Sequence, residues 1–183
     1  MEDKLLTQPL FLCGMMGSGK STVGRRLAQR LSLPFHDLDN LIQKKTGMTI
    51  PEIFKKNGEE SFRKIERDLI IQFSQTVKGI IALGGGTLQN QQIIDHIKLN
   101  GWLVFLDCNP DTLYNRLKES TNRPMIASLS EEDLKLKIST LLNERLQFYG
   151  QAHFSVECSD RNVETILEEL IKKLKIYEQK HTG

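Results

Sequence analysis

The stretch Gly14-Met15-Met16-Gly17-Ser18-Gly19-Lys20-Ser21 constrains this chain more than any other, because it fits the pattern G-x-x-x-x-G-K-[ST] at every fixed position. An apolar run, Leu10 to Cys13, leads into it, and an amphipathic stretch from Lys20 to Leu31 leaves it. The order is strand, glycine loop, helix. Glycines let backbone N–H groups converge on phosphate oxygens, and the helix that follows points its positive dipole end at the same place. In such a loop Lys20 reaches the β- and γ-phosphates and the Ser21 hydroxyl is placed to bind Mg²⁺, while Gly17, Ser18, Gly19 and Thr22 complete the nucleotide grip. A chance glycine turn would match the same positions, but the flanking strand and helix make that rare.

At 183 residues the chain has room for one α/β domain with a full core and not for two. A net charge of +2 with 26% charged residues gives no basic excess that would point to nucleic acid. The apolar runs fall far short of a membrane span, and Met1-Glu2-Asp3-Lys4 lacks the layout of a signal peptide. The expectation is a cytoplasmic monomer with small-molecule partners. Cys13, Cys108 and Cys158 stand far apart, each at or near the end of an apolar run, and read as small buried residues rather than a disulfide or zinc set.

Apolar runs of strand length alternate with helical patterns, which predicts βαβ units and a parallel sheet. The strands are expected at Leu10 to Cys13, Pro34 to Asp37, Ile80 to Leu83, Trp102 to Leu106 and Phe154 to Cys158. Helices begin at the capping box Thr49-Ile50-Pro51-Glu52, at Asn109-Pro110 and at Ser130-Glu131-Glu132-Asp133. The periodic stretch Val163 to Tyr177 reads as a packed C-terminal helix. Two segments break the alternation. From Asn40 to Ser74, two or three helical patterns follow one another, more than one crossover needs, and in a small kinase such an insertion binds the acceptor. The break Thr121 to Ser128 is either a plain helix connection or a mobile lid.

Several groups carry chemistry. His36-Asp37-Leu38-Asp39 places two carboxylates at a strand end, where open parallel sheets bind ligands. A kinase needs one carboxylate near Mg²⁺ and one to orient or deprotonate the attacking hydroxyl. A helix N-cap at Asp39 explains the same residues. Asp107, after Leu103-Val104-Phe105-Leu106, competes as a Walker-B carboxylate, and spacing does not choose between Asp37 and Asp107. Gly84, Gly85 and Gly86 form either a bare backbone for close ligand approach or a flexible turn. Arg63, Arg123 and Arg145 are candidates for an anionic acceptor and a triphosphate, and Glu66 is spaced to hold Arg63 on one helical face.

Taken together, Gly14 to Arg25 (GMMGSGKSTVGR), Phe35 to Asp39 (FHDLD), Gly58 to Glu66 (GEESFRKIE), Leu83 to Thr87 (LGGGT), Arg123-Pro124, and Arg145 with Tyr149 resemble shikimate kinases over nearly the whole chain. The phosphate loop alone is shared by many kinases; the combination in this order is specific. The resemblance implies a P-loop α/β/α fold with a five-stranded parallel sheet, a shikimate-binding insertion over about 40–74 and a lid over about 121–129 within one domain, 1–183. It implies transfer of the ATP γ-phosphoryl group to the 3-hydroxyl of shikimate, on the route to chorismate and aromatic amino acids, with one Mg²⁺ per site.

Residue by residue, the resemblance gives Lys20, Asp39 and Arg123 catalytic parts and assigns Mg²⁺ to Ser21 and Asp37, which demotes Asp107. Asp39, Arg63, Gly84, Gly85, Gly86 and Arg145 would hold shikimate, and Arg116, Arg123 and Arg161 would join the loop in holding ATP. The chain departs from the family after Tyr149, where Gly150-Gln151-Ala152-His153 replaces the usual Glu and Ala-Asp, and in Ser159 to Val163, which lacks the usual proline. Gluconate kinase shares the loop and architecture, although FHDLD with LGGGT favours shikimate. An ATP-binding module without turnover is the alternative from another class.

Overall fold

The structure is a computed structural model, and it describes residues 6–76, 78–118 and 129–181. Five strands alternate with seven helices among the described residues. Strand β1 (Leu10–Cys13) leads to α1 (Lys20–Arg30), and β2 (Phe35–Asp37) runs directly into α2 (Leu38–Thr46) and then α3 (Ile50–Thr76). Next come β3 (Ile80–Ala82), a 3₁₀ turn (Thr87–Gln89), α4 (Gln91–Asn100), β4 (Trp102–Asp107) and α5 (Pro110–Lys118). The chain closes with α6 (Glu131–Tyr149), β5 (Phe154–Glu157) and α7 (Val163–His181).

All strand pairs are parallel, in the order β2-β3-β1-β4-β5. The crossover from β1 to β2 and that from β3 to β4 move in opposite directions along the sheet. Right-handed connections therefore put α1 and α4 on opposite faces. The contacts agree, since α1 packs with α7 while α3 packs with α4. Helices on both faces make β1 and nearly all of β4 buried, which is why they read as unbroken apolar runs. The edge strand β5 alternates buried and exposed residues instead. Because the winding reverses across β1, the crevice at the carboxyl ends of β1, β3 and β4 is the topological switch point, where such sheets bind ligands.

The element boundaries follow local chemistry. Proline has no N–H to give, so the β2 ladder starts at Phe35, although the Pro34 carbonyl still accepts from Ile80 N at 2.9 Å. At the box that opens α3, Thr49 N and Oγ1 both donate to Glu52 Oε2 at 2.7 Å. The backbone bond from Thr49, then its hydroxyl, holds the Glu52 carboxyl below its usual value. The insertion is two helical elements, the second broken at Gly58, whose φ of 78° and ψ of 170° interrupt the helix. Asn109 Oδ1 accepts from Thr112 N at 2.8 Å before α5, and Ser130 Oγ accepts from Asp133 N at 3.1 Å before α6. The three cysteines are free and buried at the ends of β1, β4 and β5. Among the described residues no helix is long and apolar enough to cross a membrane.

Candidate active site

After β1 the chain turns through Gly14, whose φ of 139° suits glycine and whose Cβ, if present, would lie 2.7 Å from the Leu106 carbonyl oxygen. Gly19, at φ 95°, begins α1 without a side-chain cap, and the first turn carries no acidic residue. A positive helix end with no internal carboxylate to balance it is suited to phosphate. Lys20 Nζ donates to the carbonyl oxygens of Gly14 and Met15, both at 2.8 Å, so the ammonium lies within the loop it serves. Ser18 is buried inside the same turn, where its N–H donates to the Met15 carbonyl at 3.1 Å.

Ser21 Oγ donates to Asp37 Oδ2 at 2.7 Å, which ties the start of α1 to the end of β2. A hydroxyl and a carboxylate beside a phosphate loop are the hard oxygen donors that Mg²⁺ takes alongside water and phosphate. Asp37 also caps α2, its Oδ1 accepting from Asn40 N at 3.4 Å. The N-cap expected at Asp39 is therefore one of Asp37, and Asp39 sits in the first helical turn, facing the crevice. The rival Asp107 ends β4 opposite Glu157 of β5 and does not line the cleft. Burial, then the Glu157 charge, raises its carboxyl above the usual range against a bond from the Cys108 N–H.

One cleft of about 450 Å³ takes in Gly17 to Thr22, Asp37, Asp39, Gly84, Gly85, Arg116 and Arg161. Beside it the three glycines each meet a different side chain. A Cβ on Gly84 would stand 3.2 Å from Asp39 Oδ1, one on Gly85 3.2 Å from Arg145 Nη1, and one on Gly86 3.1 Å from Arg63 Nη2. None of the three lies in the left-handed region, so space rather than conformation excludes side chains here. The bare backbone expected from the sequence is thus a meeting point for the Asp39 and Glu66 carboxylates and two guanidinium groups. Arg145 Nε is buried without a hydrogen-bond partner among the described residues, a condition that a ligand carboxylate would relieve.

Arg63 is held from behind, where Nη1 donates to the buried Glu66 at 2.9 Å and Nη2 to Glu59 at 3.2 Å. Burial works against the guanidinium charge, but the Glu66 bond and charge, then those of Glu59, outweigh it and raise the group above its ordinary value. Glu66 also accepts from Thr87 Oγ1 at 2.5 Å, which locks the 3₁₀ turn to α3. On the nucleotide side, Arg116 spans the loop and the end of β5, with Nη1 donating to Gly17 O at 3.3 Å and Nη2 to Cys158 O at 2.9 Å. Arg161 donates to the Glu157 carbonyl at 2.9 Å and pairs with Glu169 at 2.5 Å. The segment expected as a lid, Arg123 included, lies outside the described residues apart from Leu129.

Three residues to which sequence reasoning gives no site role, Tyr149 of the family match among them, line or brace this region. Val163 and Ile166 line the cleft, although their helical spacing reads only as core. The Tyr149 hydroxyl donates to the Gly85 carbonyl at 2.5 Å; its one signal is the four-residue spacing from Arg145, which places both on one face of α6.

A phosphate loop opening a helix at the switch point of a parallel sheet, with a carboxylate and two arginines gathered beside it, defines a P-loop kinase of small anionic molecules. Residues 16–175 match the profile of the shikimate kinase family. The chain belongs to the shikimate kinase family, and its reaction is ATP-dependent phosphorylation of shikimate. It is 37% identical over 163 residues to a shikimate kinase of Caldanaerobacter subterraneus subsp. tengcongensis, covering 89% of this chain and 94% of the relative. The crystal structure of shikimate kinase from Bacteroides thetaiotaomicron superposes with a TM-score of 0.87 at 31% identity, covering 92% of this chain and 98% of that one. Shikimate kinase from Acinetobacter baumannii in complex with shikimate gives a TM-score of 0.82 at 31% identity, covering 91% and 92%. The gluconate kinase reading is set aside by the family match.

Proposed function

We propose that the cleft transfers the γ-phosphoryl group of ATP to the 3-hydroxyl of shikimate through the residues the sequence singled out. The observation that carries this reading is the succession at the glycine run, where Gly84 faces Asp39, Gly85 faces Arg145 and Gly86 faces Arg63, next to the phosphate loop. Arg63 and Arg145 pair with the acceptor carboxylate and fix the ring, as bidentate guanidinium groups do well. Asp39 accepts the proton of the 3-hydroxyl as that oxygen bonds to phosphorus and the bond from phosphorus to the ADP oxygen breaks. Lys20 exchanges its two carbonyl partners for phosphate oxygens. Arg123 neutralises charge on the transferring group, and Arg116 and Arg161 border the adenine with Val163. Ser21 and Asp37 would hold Mg²⁺, which when bound would offset negative charge on the phosphates. Positioning and electrostatics supply most of the rate, since phosphoryl transfer asks little covalent chemistry of the protein.

The enzyme is read as a cytoplasmic monomer, and the ordinary charge balance, with no basic excess, supports small-molecule rather than nucleic-acid or membrane partners. The test is ADP release in a coupled assay with shikimate, with gluconate and with no acceptor. Release that depends on shikimate and on Mg²⁺ is expected. Equal release in all three mixtures would overturn the reading.

A further inference from the structure

Tyr149 is placed where a core aromatic would suffice, yet its polar atom is fully used. The ring is 1% exposed and stacks on Phe105 of β4, with centroids 5.1 Å apart and planes 23° from parallel. A buried hydroxyl costs stability unless it is bonded, so packing alone favours phenylalanine here. Instead the hydroxyl donates to the Gly85 carbonyl at 2.5 Å, and the guanidinium of Arg145, one turn earlier on α6, donates to the hydroxyl oxygen of Tyr149 itself. Met15 of the phosphate loop closes the group, its Sδ lying 3.8 Å from the Tyr149 hydroxyl and 3.9 Å from Arg145 Nη1. Burial pushes the phenol up to about 12, so it stays a donor at any working pH.

The carbonyl of one residue and the N–H of the next lie in one plane and point opposite ways. Holding the Gly85 carbonyl therefore fixes the direction of the Gly86 N–H, on a residue whose added Cβ would stand 3.1 Å from Arg63 Nη2. We propose that Tyr149 is a positioning residue for the acceptor, its hydroxyl setting both the Gly85–Gly86 peptide plane and the side-chain pose of Arg145. This rests on the reading of Arg145 and the glycine run as the shikimate site. Tyr149 acts through those groups and does not itself touch the reacting atoms.

Tyr149→Phe keeps the stacked ring and removes only the hydroxyl. The shikimate KM is expected to rise roughly tenfold, as for a buried carbonyl left without its donor, with the ATP KM within about twofold. The thermal shift given by saturating shikimate should shrink, while that given by ATP with Mg²⁺ is kept. Unchanged shikimate KM, or equal rises in both KM values, would overturn the proposal. Arg145→Ala is measured alongside. A raised shikimate KM there without one in Tyr149→Phe would sink the role of Tyr149 alone, whereas an unchanged KM in Arg145→Ala would remove the site on which it rests.

Discussion

Glu66, 1% exposed, stands three residues after Arg63 on α3 and accepts from its Nη1 at 2.9 Å, so the arginine that faces Gly86 is braced by a buried carboxylate. Glu66→Gln keeps the shape and an acceptor but removes the charge. It should cost about 1–3 kcal/mol of stability, the range for a buried bond to a charged group, and raise the shikimate KM less than Arg63→Ala does. The truncation itself should raise KM by roughly thirtyfold or more, equivalent to about 2 kcal/mol, and Arg63→Lys should restore little, because an ammonium lacks the planar fork. Thermal melts and steady-state kinetics on the three variants check this; a larger KM effect from Glu66→Gln than from Arg63→Ala would refute the bracing role.

Asp39 lies against Gly84 at the mouth of the cleft, and an amide there keeps the hydrogen-bonding shape while losing basicity. Asp39→Asn should lower kcat by a hundredfold or more, roughly the worth of a general base, with a smaller change in the shikimate KM. Turnover at the unmodified rate would take Asp39 out of the proton transfer.

The phosphate loop and the caps are legible in the chain because each depends on neighbours in sequence, and the parallel sheet because strands buried on both faces read as unbroken apolar runs. Gly14 to Ser21 declares its own conformation, and Thr49 finds Glu52 within one turn. Strand ends are blurred by a residue where hydrogen bonds outlast the ladder, as at Leu83, whose N–H still donates to Leu12 O at 2.9 Å after β3 has ended. The proposed acceptor site is less legible. Arg63 and Arg145 come from α3 and α6, and only the topology brings them to adjacent glycines. Helical spacing at Val163 and Ile166 likewise marks an apolar face without saying that part of it looks onto a ligand cleft.

Asp107 and Glu157 face each other in register on β4 and β5, and burial, then the Glu157 charge, lifts the Asp107 carboxyl above its ordinary value. A carboxyl that holds its proton more tightly when folded weakens the fold as pH rises through its folded value. Asp107→Asn should therefore raise Tm at pH 7 to 8, the gain fading as pH falls towards the ordinary aspartate value of about 4, where the native acid is protonated. Thermal melts across that range decide it. A Tm at neutral pH equal to or below that of the unmodified protein would show that the pair carries no such penalty.

Gly85 separates the need for space from the need for an unusual backbone. Its φ is not positive, unlike those of Gly14, Gly17 and Gly19, so alanine meets no strain in the chain itself. The added methyl would instead stand 3.2 Å from Arg145 Nη1, the far end of a long side chain that moves aside easily. Gly85→Ala should cost less than about 1 kcal/mol of stability, the scale of a substitution without a severe clash. The shikimate KM should nevertheless rise roughly ten- to hundredfold as the guanidinium is pushed off the carboxylate. Gly14→Ala provides the contrast, because a positive φ and a carbonyl 2.7 Å from the new methyl leave it no escape, and it should lose ATP binding together with stability. A Gly85→Ala protein destabilised as severely as Gly14→Ala would mean that backbone conformation, and not room for Arg145, is what keeps glycine at this position.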